Sequence, residues 1–146
     1  MSHVATIEVD ILDLDALAVA GKKIGMELRR GQRTYRWWGH SVGDYPLPKG
    51  FTAAELGKCD HALSILGNNQ AYEIGVVRRK DGKPGWALLW DFYAGGKGLE
   101  AVVGKDASKL RQRYAAEVAI KNARRQGFRV TEQMGQDGKI KLVCRR

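Results

Sequence analysis

Cys59, Asp60 and His61 are consecutive, with His40 upstream and His3 near the start, and they form the one cluster in this sequence with the makings of a metal site or an activated thiol. Zinc takes four ligands at characteristic spacings, and a lone C-x-H lacks the paired C-x2-C or H-x3-H that marks such a centre. A nucleophilic thiol needs a base in reach and a lowered pKa. Neighbouring positions on a strand point to opposite faces, so Cys59 and His61 would stand side by side with no third group to align them. No metal, no cofactor and no catalytic residue is therefore expected.

Two further patterns are weaker. Glu73 and Asp91 read as cross-strand neighbours on a central hairpin, but the nearby Arg78, Arg79 and Lys80 make them surface pairing partners rather than an acid/base couple. The glycines of "AGGKGLEAVVGKD" raise the question of a phosphate cradle. They fit neither G-x-x-x-x-G-K-[ST] nor G-x-G-x-x-G, and Leu99 to Val103 separate them from the next helix, so a flexible connector is expected.

Basic residues interleaved with rings are the remaining signal. "RTYRWWGH" sets Tyr35, Trp37 and Trp38 among Arg33 and Arg36, and the C-terminal third carries Arg113, Lys121, Arg124, Arg125 and Arg129, followed by Lys141, Arg145 and Arg146. Cations that meet phosphates or carboxylates, beside a ring on which something stacks, make up a binding surface. The formal net charge is +9, of which residues 105–146 supply +8 from twelve Lys/Arg against four Asp/Glu. Such asymmetry creates a directional field suited to an anionic partner, nucleic acid or an acidic protein face; the plainer alternative is a solvated helix face.

Length and composition limit what can carry these residues. A chain of 146 residues, 44% hydrophobic, can bury a core without metal or crosslinks, and one domain spanning 1–146 is expected. There is no run of about 18 apolar residues to span a bilayer. "MSHVATIEVD" runs straight into alternating apolar residues without a charged leader, and the two cysteines stand far apart, so a reduced, cytoplasmic setting is expected.

Period-two alternation over "HVATIEVDI" predicts a first strand, and Asp13 can cap a helix that runs to a stop at Gly25. "MELRRGQRTYRWW" reads as extended chain, with Trp37 and Trp38 on opposite faces, so that at most one of them fills the core. Residues 39–56 form a long loop with a helical turn near Thr52 to Leu56, which could fold over the outward Trp. "HALSIL" predicts a short strand, "AYEIGVVRR" and "WALLWDFY" a hairpin, and "DASKLRQRYAAEVAIKNARRQG" a long helix capped by Asp106 or Ser108. A last hairpin, "FRVTEQM" to "KIKLVCRR", has Phe128, Val130, Ile140, Leu142 and Cys144 as inward candidates. The expected fold is α+β: an antiparallel sheet with two helices on one face in a ferredoxin-like arrangement, with a long loop insertion after the second strand.

The "MSH" start leading into "TIEVDILDLDAL", the "AYEIG" strand, "LRQRYAAEVAIKNARRQGF" and the ending "VTEQMGQDGKIKLVCRR" resemble the hypothetical chloroplast reading frame 35 family, also called domain of unknown function 1257. The resemblance is strongest from Leu110 to Arg146 and departs from the plastid pattern between Trp37 and Lys58, while "LLWDFYAGGKGLE" looks more like bacterial and phage members. It implies a small soluble α+β protein without assigned catalysis, similar to proteins often encoded near AAA-type ATPases.

Two functions follow as expectations. The first is a non-enzymatic interaction module that docks a protein partner, an AAA-type ATPase among the candidates, through the basic C-terminal region together with the Trp37/Trp38 loop. The second is a single-stranded nucleic-acid binder using the same residues.

Overall fold

A computed structural model describes residues 2–40, 43 and 45–146. The chain has a mixed α/β fold. Its order is β1 (Val4–Ile11), α1 (Leu14–Lys23), β2 (Met26–Arg30), β3 (His61–Ile65), β4 (Ile74–Arg78), β5 (Trp86–Asp91), α2 (Leu99–Val103), α3 (Ser108–Arg125), β6 (Arg129–Met134) and β7 (Ile140–Arg145).

Strands β1 to β5 form one sheet in the order β1-β5-β4-β3-β2, with every neighbouring pair antiparallel. β1 and β2 therefore run the same way at opposite edges, and α1 crosses the whole sheet between them. The antiparallel sheet and the long helices match expectation; the ferredoxin-like arrangement does not. That layout needs the strand after the second long helix to re-enter the sheet. Among the described residues β6 instead pairs with β7 alone, in a separate two-stranded ribbon attached to α3.

Local chemistry fixes the helices. The Asp13 carboxylate accepts the Ala16 amide at 3.0 Å and caps α1, whose last turn carries Lys22 and Lys23 before Gly25 at φ 88° ends it. α3 has no such side-chain cap, contrary to the role given to Asp106 or Ser108. It is entered through Asp106 and Ala107, both at positive φ.

Both faces of the sheet are covered, so β3 to β5 show consecutive buried residues rather than alternation. Ile7, Leu63, Val76 and Leu88 pack on one face against Leu17 of α1, Leu99 and Val103 of α2, and Leu110 and Tyr114 of α3. Ala62, Val77 and Leu89 line the other face, beneath Tyr35, Leu56 and Cys59 from the long β2–β3 connection. Fully burying each large apolar side chain contributes roughly 1.5–3 kcal/mol.

The β2–β3 connection departs from the sequence reading. β2 ends at Arg30, Gly31 turns at φ 80°, and Arg33 to Trp38 make only one isolated bridge, Thr34 to Lys58. The segment is a strap across the second face rather than a strand of the sheet. The turn predicted near its end is a short 3-10 helix, Ala53–Glu55, with a Thr52/Glu55 capping box.

Candidate binding surface

The Cys59 cluster is built for packing. The Cys59 thiol donates to the Gln32 carbonyl at 3.1 Å, and burial, reinforced by the charges of Asp60 and Glu73, pushes it up to about 12. A thiol so placed stays protonated and is a poor nucleophile. His61 accepts the Gly31 amide on Nδ1 at 2.9 Å, and burial holds the imidazole below its ordinary value, which keeps that acceptor available. Cys144 is exposed and both cysteines are free. Among the described residues, no three His, Cys, Asp or Glu side chains gather as metal ligands, and no helix is long and apolar enough to cross a membrane.

Glu73 and Asp91 are buried keystones rather than surface partners, at 1% and 0% exposure. Both lie on the strap-covered face, two places beyond the Gly75–Leu89 pair in the β4–β5 register. Glu73 accepts the Arg36 amide at 2.8 Å, the Gln32 side-chain amide at 3.2 Å and the Ser64 hydroxyl, and it faces the Arg36 guanidinium at 3.6 Å. Burial works to raise its pKa; these hydrogen bonds and the Arg36 charge outweigh it and hold the carboxyl below its ordinary value. Asp91 accepts the amides of His3, Trp38 and Tyr93 at 3.0, 3.2 and 3.2 Å. Each carboxylate satisfies backbone donors that a strap lying flat on a sheet would otherwise bury unpaired.

So anchored, the strap sorts its own rings. Tyr35 is 3% exposed and lies over Gly75, where an added Cβ would sit 2.4 Å from the ring. Trp37 is half-buried across Gly57, whose own φ is +85°. Trp38 alone stays open, at 41%. Arg33 pairs with Asp60 at 3.1 Å.

The C-terminal cations divide into two sets. Arg113 is buried and binds Glu132 of β6 through both terminal nitrogens, at 2.9 and 2.6 Å, which fastens the ribbon to α3. Lys121 meets Asp13 at 2.7 Å rather than Glu117, whose near partner is Lys23. Arg113 and Lys121 thus hold the fold together and have little left to offer a ligand. Arg124, Arg125 and Arg129 are exposed and have no ion-pair partner among the described residues. Arg124 and Arg125 occupy the last turn of α3, where the helix dipole favours cations.

The ribbon presents the free charge. Its register sets Arg129 opposite Arg145, Thr131 opposite Val143 and Gln133 opposite Lys141, all on one face. The other face turns Val130, Glu132, Leu142 and Ile140 toward α3; Phe128 is half-buried, and Cys144, expected inward, is exposed. Carboxylates of this region are engaged elsewhere: Glu132 by Arg113, Glu117 by Lys23, Asp137 by the Lys139 amide within its own turn. Among the described residues, Arg129, Lys141 and Arg145 have no carboxylate within ion-pair distance. The face they share lies on the helix side of the sheet, whereas Trp38 belongs to the strap on the other side, so the structure does not bring the two halves of the expected surface together.

A family model described as "Protein of unknown function (DUF1257)" matches residues 50–143. The chain belongs to this family. The DUF1257 match takes in β3 to β6, α3 and most of β7, and leaves Arg33 to Trp38 outside. No curated protein and no solved structure matches the chain.

Proposed function

We propose that the chain is a non-catalytic binding module that docks an acidic protein partner through the outer face of the C-terminal ribbon and the adjoining end of α3. The observation that carries this reading is the Arg129–Arg145 cross-strand pair, with Lys141 on the same face and no carboxylate in ion-pair contact among the described residues. Like charges directly opposite one another on a ribbon destabilise it, and a bound anion removes that repulsion. Arg124 and Arg125 extend the field, which would speed encounter with an acidic surface. The DUF1257 match includes Arg124, Arg125, Arg129 and Lys141 and ends at residue 143, before Arg145. An AAA-type ATPase presenting an acidic segment is one partner of this kind.

The single-stranded nucleic-acid reading has less support. A strand reader stacks bases on exposed rings within its cationic groove. Phe128, the ring nearest these cations in sequence, carries the Arg146 guanidinium 4.4 Å from its centroid. Titrating the protein with fluorescent polyglutamate and with an oligothymidylate of equal charge, at low and moderate salt, tests the choice. Tighter binding of polyglutamate, lost in Arg129→Glu/Arg145→Glu, is expected; a clear preference for oligothymidylate would reverse the assignment.

A further inference from the structure

We infer that the partner segment binds as a third strand along the open edge of β7, with acidic side chains at alternate positions; this rests on the cationic docking proposed above and specifies its geometry. The ribbon has two strands, and among the described residues β7 has no second neighbour in the sheet. Its hydrogen-bond phase follows from the turn: the Gly135 amide donates to the Lys139 carbonyl at 2.9 Å, which makes that a bonded pair. Bonded and non-bonded pairs alternate along an antiparallel ladder. Gln133/Lys141, Thr131/Val143 and Arg129/Arg145 are thus the bonded pairs, and Ile140, Leu142 and Cys144 turn their backbone groups outward. The Ile140 amide shows this directly, donating away from the ribbon to the Gln112 side chain at 3.3 Å. Those of Leu142 and Cys144 have no side-chain partner among the described residues.

An incoming strand would pair with these free groups and extend a ribbon that is marginal as two strands. Its alternate side chains would stand beside Lys141, Val143 and Arg145, so the complementary sequence is acid-x-apolar-x-acid. A second copy of this chain is a poor occupant. Antiparallel pairing of two β7 edges centred on Val143 would set Lys141 of each against Arg145 of the other, the kind of edge charge that blocks self-association.

The test uses two synthetic peptides of identical composition, one with the acid-x-Val-x-acid pattern and one with its acids in a block, followed by fluorescence anisotropy. Patterned peptide should bind the intact protein about tenfold more tightly than the block isomer, one backbone-bonded register being worth at least that factor. Cys144→Pro removes one outward amide while leaving every charge and every β6–β7 bond, and should weaken the patterned peptide about tenfold. Methylating the peptide amides that would face β7 should do the same with the protein untouched. In hydrogen exchange, the Leu142 and Cys144 amides should gain protection in the complex. Equal binding of the two isomers, unaffected by Cys144→Pro or by peptide methylation yet lost in Arg129→Glu/Arg145→Glu, would overturn strand addition and leave cationic docking standing. Failure of both peptides to bind at low salt would overturn both, as would an oligothymidylate that outcompetes them.

Discussion

Replacing Glu73 by Gln swaps one carboxylate oxygen for an amide nitrogen beneath the strap, with almost no change in volume. Glu73 Oε1 accepts from the Arg36 amide and Gln32, and Oε2 from Gln32 and Ser64. A glutamine amide must turn its NH2 toward one of these sets. The less costly orientation faces Ser64, whose hydroxyl can rotate to accept, but it still opposes the Gln32 donor and leaves Arg36 without its counter-charge. Arg36 is partly exposed and can rehydrate, so the loss is that of charge-assisted hydrogen bonds in a buried site rather than of an orphaned cation. We expect Glu73→Gln to cost about 2–3 kcal/mol. Urea unfolding at pH 7, followed by tryptophan fluorescence, should show the midpoint falling by about 1–2 M for a typical denaturant slope. The pH dependence has a definite sign. Because folding lowers the Glu73 pKa from its ordinary value of 4.5, its contribution is fully present above that value and is lost as pH falls through the folded value. The gap between wild type and Glu73→Gln should therefore be constant from pH 7 to about 5 and narrow below 4.5. A loss under about 0.5 kcal/mol, or a gap that widens in acid, would refute the keystone role.

Four other perturbations have definite outcomes. Gly75→Ala puts a Cβ 2.4 Å from the Tyr35 ring and Gly57→Ala one 2.3 Å from Trp37 Nε1, the latter at a positive φ; chemical denaturation should show losses of about 1–3 and 2–4 kcal/mol respectively. Ala94 is exposed and left-handed at φ 52°, so Ala94→Gly should raise stability by about 0.5–1 kcal/mol, seen as a higher Tm. With a disulfide-exchange reagent at pH 8, native protein should react quickly at Cys144 alone, and Cys59 only after unfolding; rapid reaction of two thiols would contradict the buried, proton-retaining environment of Cys59.

β1, α1, α3 and the two hairpins were legible because each carries its own periodicity and punctuation. The strap was not. Arg33, Tyr35 and Trp37 alternate with Thr34, Arg36 and Trp38 as a strand would, and nothing local reveals that their amides are satisfied by carboxylates 37 and 53 residues further on. One signal was present: a single acid inside each of two apolar runs, "AYEIGVV" and "LLWDF", marks a carboxylate that must find buried donors. Strand order also lay beyond local pattern, since β6 pairs outside the sheet although its sequence reads like any half-buried strand. The cations of α3 and the ribbon divide by what happens to face them. Arg113 and Lys121 meet Glu132 and Asp13, whereas Arg129 and Arg145 meet each other.

The cationic ribbon as the docking face is tested most directly by mapping amide chemical shifts while polyglutamate is added at low salt. The expected result is a set of changes concentrated on Arg129, Thr131, Lys141, Val143 and Arg145, extending to Arg124 and Arg125 and sparing the strap. Changes centred instead on Trp38 and the neighbouring His40, or spread evenly over surface lysines, would contradict it.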